Sequence, residues 1–285
     1  AQAPKGLFSV VWDLPSTMAA AASGSGTVRP LLRFEGHVVV VTGSTAGIGL
    51  SVARRLLAEG GTVVISSRKA ENVDRTVAAL RAEFGDKRVS GCVCHVGNAE
   101  DRAALLKHVA DTHGRLHSLI LNAAVSPPQP PLLKTNGALF DKVMDVNVKS
   151  CLLFAQEAAE LLAKEQGASI TLVSSVGGFM PGAPHPMYGL SKTAVFGLTK
   201  GLAMEFARRG VRVNCCAPGM IKTDFSKPIW SNKQVEARVA QSALLGRLGE
   251  PDEIAGCVAF LASADASYVT GEVLVAGGGA IAARL

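Results

Sequence analysis

From Phe34 onward, short apolar runs alternate with longer stretches in which apolar residues recur every three or four positions. The short runs, rich in Val and Ile, predict buried strands, and the longer periodic stretches predict helices that pack on them. Seven strands are predicted: His37–Val41, Thr62–Ser67, Arg88–His95, Leu116–Leu121, Ser169–Ser174, Val211–Ala217 and Val273–Val275. The predicted helices are one that follows a turn at 43–49 and ends near Gly60, then Asn72–Phe84, Arg102–His113, Leu139–Leu162 and Tyr188–Arg208.

Strands that alternate with helices form βαβ units, which place the strands in one parallel sheet. The sequence therefore predicts an α/β fold, a Rossmann-type doubly wound sheet of seven mostly parallel strands with helices on both faces. Ligands of such sheets bind outside the carboxyl ends of the strands. The residues that follow each strand are therefore the candidates for chemistry.

The first 33 residues lack this periodicity. They contain Pro4, Pro15 and Pro30 and a Ser-Gly-Ser-Gly run at 23–26. We expect a flexible N-terminal extension over residues 1–33, followed by one domain over residues 34–285. Met18 is an alternative start of the natural protein, and the scarcity of acidic residues in this segment leaves a mitochondrial presequence open.

Composition narrows the class of protein. Hydrophobic residues make up 48% of the 285 and charged residues 18%, which excludes a disordered chain. The net charge is +6, but the basic residues form no continuous stripe, so no nucleic-acid partner is predicted. No uncharged apolar run is long enough to predict a membrane span. The six cysteines include no Cys-x-x-Cys pair, so we expect reduced, mostly buried thiols and no metal site.

A glycine-rich turn, Thr42–Gly49, joins the first strand to the first helix. Glycine permits positive φ, and backbone N–H groups at a helix N-terminus bind the pyrophosphate of a dinucleotide. The candidate cofactor-binding residues in this turn are Gly43, Ser44, Thr45, Gly47, Ile48 and Gly49.

The end of the second strand predicts which dinucleotide is bound. NAD-binding sheets place an acid there for the ribose 2′-hydroxyl, but this chain has Ser67, Arg68 and Lys69. Two cations suit a 2′-phosphate, and a small serine leaves room for it. The sequence therefore predicts NADP(H) rather than NAD, the alternative being an ordinary solvated pair of cations.

A candidate catalytic group follows the fifth strand. Tyr188 and Lys192 are four residues apart, so both side chains leave one face of the predicted helix. Ser175 ends the fifth strand, thirteen residues before the tyrosine. The adjacent Ser174 competes with Ser175 for the same role, and the spacing to the tyrosine favours Ser175.

This combination resembles the short-chain dehydrogenase/reductase family. The matching motifs run in family order over residues 36–280: Thr42–Gly49, Asn122-Ala-Ala, Asn147, Ser175, Tyr188-x-x-x-Lys192, Pro218-Gly219 and Tyr268-Val-Thr-Gly271. The resemblance implies that residues 34–285 form a single NADP-binding catalytic domain, with Asn147, Ser175, Tyr188 and Lys192 as catalytic residues. It also implies cofactor contacts from His95, Val96, Asn122, Tyr188, Lys192, Pro218, Gly219, Ile221 and Thr223, and substrate contacts from Ser175, Phe179 and His185.

The resemblance implies a role for each catalytic group. Tyr188 would protonate a carbonyl oxygen as hydride arrives from the nicotinamide. Lys192 would bind the nicotinamide ribose and favour the tyrosine's phenolate. Ser175 would donate a hydrogen bond to the substrate oxygen, and Asn147 would hold a water that links Lys192 to solvent. His185 is the alternative proton donor.

Two positions depart from the family pattern. His95 stands where many relatives have an Asp whose carboxylate binds the adenine amino group, which puts adenine recognition in doubt. Ala124 adds a methyl group where the family has glycine close to the cofactor. Neither departure involves the proton-transfer groups.

Further stretches resemble one subgroup of the family, peroxisomal NADPH-dependent carbonyl and retinal reductases: Ile65–Asp74, Cys94–Gly97, Ala217–Asp224 and Asp265–Gly271. That subgroup implies reduction of ketones, α-dicarbonyls, retinal and 3-ketosteroids by a homotetramer. Oxidation of an alcohol or hydroxysteroid with NADP⁺ and a non-catalytic NADP-binding scaffold are the alternatives. Ala283-Arg284-Leu285 fits a C-terminal signal for the peroxisomal import receptor, with mitochondrion and cytosol as the other locations.

Overall fold

The computed structural model describes residues 32–182 and 184–280. Its centre is a seven-stranded sheet in the order β3-β2-β1-β4-β5-β6-β7, and all neighbouring strands of that sheet are parallel. The strands are β1 Val38–Thr42, β2 Thr62–Ser67, β3 Val89–Val93, β4 Ser118–Leu121, β5 Ser169–Val173, β6 Arg212–Pro218 and β7 Val273–Ala276. The predicted α/β fold is confirmed, since each strand lies within two residues of its prediction or overlaps most of it.

Helices cover both faces of the sheet and pack against it in two clusters of buried apolar residues. They are α1 Gly47–Ala58, α2 Ala70–Phe84, α3 Ala99–His113, α4 Gly137–Met144, α5 Ser150–Leu162, α6 Pro186–Phe206, α7 Lys227–Trp230, α8 Lys233–Ala240 and α9 Pro251–Ala262. The chain order reverses between β1 and β4, which are neighbours in the sheet although two strands separate them in sequence. Such a reversal opens a crevice at the carboxyl ends of the strands, where ligands bind.

The predicted single helix over Leu139–Leu162 is wrong in one respect. The structure has α4, then a π-helical turn over Asp145–Lys149, then α5. A π turn inserts one residue into the helical repeat and is common at functional sites. The apolar periodicity does not reveal it because the helix continues on both sides.

The predicted helices include none between β6 and β7, because this segment has no readable pattern. Helices α7, α8 and α9 lie there. The helix α9 packs against α1 and is apolar on most of its surface, so it lacks the polar face that marks an amphipathic helix. Its start was nevertheless readable, because Pro251 occupies the first turn and Glu250 forms a capping box with Glu253.

Two predictions lie outside the described residues, the N-terminal extension up to residue 31 and the import signal at 283–285. The domain limits at 33 and 34 therefore stay predictions. Within residues 32–182 and 184–280, no helix is long and apolar enough to cross a membrane. All six cysteines fall in these ranges as free thiols, and Cys94, Cys151, Cys215 and Cys216 are buried.

Candidate active site

The turn between β1 and α1 is shaped by its glycines. Gly43 and Gly47 have φ values of 64° and 54°, a left-handed conformation that residues with a Cβ rarely adopt. Gly49 is buried in the first turn of α1, where a Cβ would collide with the carbonyl oxygen of Gly43. The backbone N–H groups at the start of α1 are thereby presented at the crevice, as expected for an anion site.

Two side chains, one in the turn and one after β4, tie this turn to the neighbouring strands. Asn122, directly after β4, donates from Nδ2 to the carbonyl oxygens of Thr42 at 3.0 Å and Gly43 at 3.1 Å. The Ser44 hydroxyl donates to Val41 at 2.7 Å and accepts the N–H of Ser66 at 2.9 Å. In this structure both predicted cofactor residues thus serve to position the turn.

Two exposed cations, Arg68 and Lys69, stand directly before α2. Arg68 lines an open cavity together with His95, Lys142, Asp145 and Val146. Lys142, on α4, is a further cation that the sequence analysis did not single out, because nothing in the pattern of α4 marks it.

The loop after β3 fixes His95. The backbone N–H of His95 donates to the Asp101 carboxylate at 2.8 Å, and its ring Nδ1 accepts the N–H of Gly97 at 3.2 Å. The carbonyl of the next residue, Val96, accepts from the buried guanidinium of Arg102 at 2.9 Å. An Nδ1 that accepts requires the ring proton on Nε2, so His95 presents a donor where a carboxylate would present acceptors.

Tyr188, Lys192 and Ser175 meet at the start of α6. The Ser175 hydroxyl faces the Tyr188 phenol and stabilises its phenolate form. The Lys192 ammonium lies 5.5 Å from the centre of the Tyr188 ring and donates to the carbonyl of Val173 at 2.8 Å. A helix places residues four apart on one face, and the end of β5 brings Ser175 to that face.

Burial controls the protonation of this group. It raises the pKa of Tyr188 to about 12, against the opposing effect of the Ser175 hydroxyl. Burial also lowers the pKa of the Lys192 ammonium. At neutral pH the phenol is therefore protonated, the form that a proton donor requires.

Ser174 and Ser175 have different surroundings. The Ser174 hydroxyl is buried and donates to the backbone carbonyl of Lys192 at 2.8 Å. Ser175 is partly exposed, accepts the N–H of Gly177 at 3.1 Å and reaches Tyr188. This geometry favours Ser175 as the residue that contacts a substrate.

Asn147 lies in the π-helical turn with its side chain fully engaged. Its Oδ1 accepts the N–H of Val125 at 2.8 Å, and its Nδ2 donates to the Val125 carbonyl and the Ser191 hydroxyl, both at 3.0 Å. The side chain thus joins the loop after β4 to α6. A water that links Lys192 to solvent stays a prediction, and the amide atoms of Asn147 already have protein partners.

The other predicted contacts lie in loops at the same end of the sheet. Phe179 packs on Phe196 with ring centres 4.6 Å apart, and His185 Nδ1 is 3.3 Å from the Ser126 hydroxyl. Pro218 ends β6, and the adjacent Gly219 is required by the close approach of Gly277, whose Cα would lie 2.8 Å from a Cβ there. Ile221 is buried, and the Thr223 methyl would lie 3.2 Å from a Cβ at position 47, which brings this loop over the glycine turn.

Besides Lys142, three residues of the site have no signal in the sequence. Phe225 lies 5.8 Å from Tyr188 between ring centres, in the loop after β6 that has no readable pattern. Gln129 and Ser126 lie in the proline-rich loop after β4, where no periodicity assigns a direction to any side chain. Only the folded arrangement of these loops reveals them.

Comparisons with known proteins show the family of this chain. Residues 43–280 match the family described as enoyl-(acyl carrier protein) reductase. Dehydrogenase/reductase SDR family member 4 of Oryctolagus cuniculus is 49% identical over 91% of this chain and 98% of its own length. The Homo sapiens protein of the same name is 44% identical over 96% of both chains.

A solved structure supports the same conclusion. The Pseudomonas aeruginosa RhlG/NADP active-site complex is 29% identical, with a TM-score of 0.81, over 88% of this chain and 98% of that chain. The predicted resemblance is confirmed by these matches. The chain therefore belongs to the short-chain dehydrogenase/reductase family and is an oxidoreductase.

Proposed function

We propose that this chain reduces carbonyl compounds to alcohols with NADPH and that Tyr188 is the general acid. The observation that carries the proposal is the protonated, half-buried phenol of Tyr188, which faces Ser175 and lies beside Lys192. The subgroup resemblance and the NADP complex of the RhlG protein support it.

The residues present fit an NADP(H) molecule. Gly43 and Gly47 give the turn before α1 its left-handed shape, as required for a pyrophosphate at the helix N-terminus. Arg68 and Lys69 supply charge for a 2′-phosphate. Within the described residues, Lys192 makes one hydrogen bond, to Val173, so two ammonium donors remain for the ribose hydroxyls.

The protein's part in the reaction follows from these positions. When bound, NADPH supplies the hydride that adds to the carbonyl carbon. Tyr188 gives its phenolic proton to the carbonyl oxygen as the C=O π bond breaks, while the Ser175 hydroxyl donates a hydrogen bond to the same oxygen. The nearby Lys192 cation stabilises the phenolate left behind. A proton from solvent then restores Tyr188.

The proposed substrates are those of the resembling subgroup: ketones, α-dicarbonyls, retinal and 3-ketosteroids. Oxidation of an alcohol with NADP⁺ uses the same groups in reverse, so the cofactor ratio sets the direction. A panel of these carbonyl compounds, followed by NADPH absorbance, identifies the preferred class. If none is reduced, the proposed carbonyl activity is wrong.

Tyr188→Phe tests the proposed acid, because it removes only the hydroxyl group. We expect turnover to fall by about 10²- to 10⁴-fold, as for a lost general acid, with NADPH binding retained. The matched control is Tyr268→Phe, a change at the other, fully exposed tyrosine, which should leave turnover unchanged. Near-normal turnover of Tyr188→Phe would mean that another group is the general acid, and His185 is then the next candidate.

We also propose a peroxisomal location for a protein that ends at Leu285, through Ala283-Arg284-Leu285. A fluorescent tag on the N-terminus leaves this end free. Punctate peroxisomal signal that disappears when Leu285 is deleted supports the proposal. A diffuse signal from both proteins contradicts it.

A further inference from the structure

The first turn of α6 obtains its cap from a distant loop. The residue before this helix, His185, makes no side-chain hydrogen bond to the helix backbone. Instead Gln129, in the loop after β4, accepts through Oε1 the N–H groups of Met187 at 2.9 Å and Tyr188 at 3.2 Å. These two N–H groups belong to the first turn and have no partner within the helix.

The amide of Gln129 is held in one orientation. Its Oε1 faces two donors, so its Nε2 must point the other way, where it donates to the Ser126 hydroxyl at 3.3 Å. Ser126 Oγ is in turn 3.3 Å from His185 Nδ1. A short polar chain therefore runs from His185 through Ser126 and Gln129 to the backbone of Tyr188.

The carbonyl side of Tyr188 is held as well. The Ser191 hydroxyl donates to the Tyr188 carbonyl at 2.7 Å and accepts from Asn147 at 3.0 Å. The peptide groups on both sides of the Tyr188 Cα are thus bonded to side chains. Both chains of contacts lead to the loop after β4, through Gln129 on one side and through Asn147 and Val125 on the other.

We infer that Gln129 is a positioning residue that sets the phenol of Tyr188 against Ser175 and Lys192. This inference rests on the proposed role of Tyr188 as the general acid. It assigns Gln129 no contact with substrate or cofactor. Because displacement of a reacting group by about 1 Å can lower a rate by about 10²-fold, the loss of this cap should reduce turnover.

The test compares Gln129→Leu with Gln129→Glu. Leucine removes the acceptor, so we expect kcat to fall by about 10- to 100-fold. The Kd for NADPH, measured by quenching of protein fluorescence, should stay within about twofold, since the glycine turn and Arg68 lie on other elements. Glutamate keeps an acceptor oxygen, and its charge is favoured at a helix N-terminus, so it should restore kcat to near the unmodified value.

A matched control separates positioning from loss of stability. Asn136 caps the neighbouring helix α4 by accepting the N–H of Leu139 at 2.9 Å, so Asn136→Ala removes a cap without touching Tyr188. We expect a similar fall in melting temperature for Gln129→Leu and Asn136→Ala, but a large fall in kcat only for the former. If Gln129→Leu does not fold, Gln129→Asn, whose amide is too short to reach both N–H groups, replaces it.

Three outcomes overturn the inference: normal kcat in Gln129→Leu, failure of Gln129→Glu to recover kcat, or an equal loss of kcat in Asn136→Ala. The assay also distinguishes this inference from the proposed function. If Tyr188→Phe is inactive and Gln129→Leu is normal, only the positioning role fails. If Tyr188→Phe is active, the acid itself is wrongly assigned.

Discussion

At the scale of single residues, burial and hydrogen bonding oppose each other at Tyr188. Burial penalises the charged phenolate and raises the pKa to about 12, while the Ser175 hydroxyl stabilises the phenolate and lowers it. Burial has the larger effect in this structure. In this structure Tyr188 therefore stays protonated at neutral pH. The expectation that Lys192 favours the phenolate then applies only to the site with its cofactor bound.

This balance predicts the outcome of a tyrosine titration. The chain has two tyrosines, so Tyr268→Phe leaves Tyr188 as the only one. Ultraviolet absorbance after a rapid pH jump should show phenolate forming with a midpoint near the raised pKa of about 12. Adding Ser175→Ala should move the midpoint higher, because the hydroxyl that lowers the pKa of Tyr188 is lost. A midpoint below that of free tyrosine, about 10, would contradict the dominance of burial.

Arg68 carries the prediction for cofactor choice. Arg68→Gln removes the charged donor that we propose for the 2′-phosphate, and a hydrogen bond to a charged group is worth about 1.5–3 kcal/mol. The KM for NADPH should therefore rise by roughly 10- to 100-fold, while the KM for NADH changes little. Arg75→Gln is the matched control, since it removes the same charge from an exposed position on α2. Equal use of NADPH and NADH by the unmodified protein would refute the predicted preference for NADPH.

At the scale of elements, the site is assembled from strand ends and loops, and only some of these can be predicted from the sequence. The glycine turn, β2 and the Tyr188–Lys192 pair follow from local patterns, because a turn, a strand end and a helical spacing are properties of a few adjacent residues. The contacts of Gln129 and Phe225 do not, because each depends on how a loop without periodicity folds over a distant helix. Sequence periodicity reveals only helices with one apolar and one polar face. It therefore predicts neither the π turn at Asp145–Lys149 nor the apolar helix α9.

One ion pair joins two helices next to the loop that carries His95. Arg102 on α3 is 3% exposed in its side chain and donates to both carboxylate oxygens of Glu157 on α5, which is 33% exposed. Glu157→Ala leaves a buried guanidinium without its partner, so the free energy of unfolding should fall by about 3 kcal/mol. Urea denaturation measures the change.

The control for this prediction lies on the same helix. Glu160 also pairs with an arginine, Arg209, but both side chains are exposed. Glu160→Ala should therefore lower the free energy of unfolding by less than about 1 kcal/mol. Equal losses in the two variants would mean that the burial of Arg102 does not add to the strength of its pair.

At the scale of the whole molecule, β7 ends the sheet that the described residues form, and this edge is apolar. Its residues Val273–Ala276 are all apolar and none is fully buried, and Val275 is 36% exposed. Tyr268, which precedes this strand, is fully exposed. An edge strand with unpaired backbone groups and apolar side chains is a surface that folded proteins usually cover.

We propose that a homotetramer covers this edge, since closed symmetric assemblies are usual for soluble enzymes. Light scattering at micromolar concentration should give a mass near four chains. Val275→Lys should reduce that mass. The control is Val93→Lys on β3, the strand at the opposite edge, where the valine is 41% exposed. A monomeric unmodified protein would refute the proposal, and dissociation by Val93→Lys would move the interface to the other edge.

The contact between Asn122 and the glycine turn has a consequence for synthesis on the ribosome. Asn122 follows Gly43 by 79 residues, so at about 5–20 residues per second it emerges on the order of ten seconds later. β1 and β2 lie close in sequence and pair without Asn122. The glycine turn, in contrast, gains its hydrogen bonds from Asn122 only after β4 has been synthesised. A nascent chain halted just before Asn122 would thus contain four of the seven strands and a glycine turn that lacks the Asn122 hydrogen bonds, and the full capacity to hold a pyrophosphate would arise only when translation has passed β4.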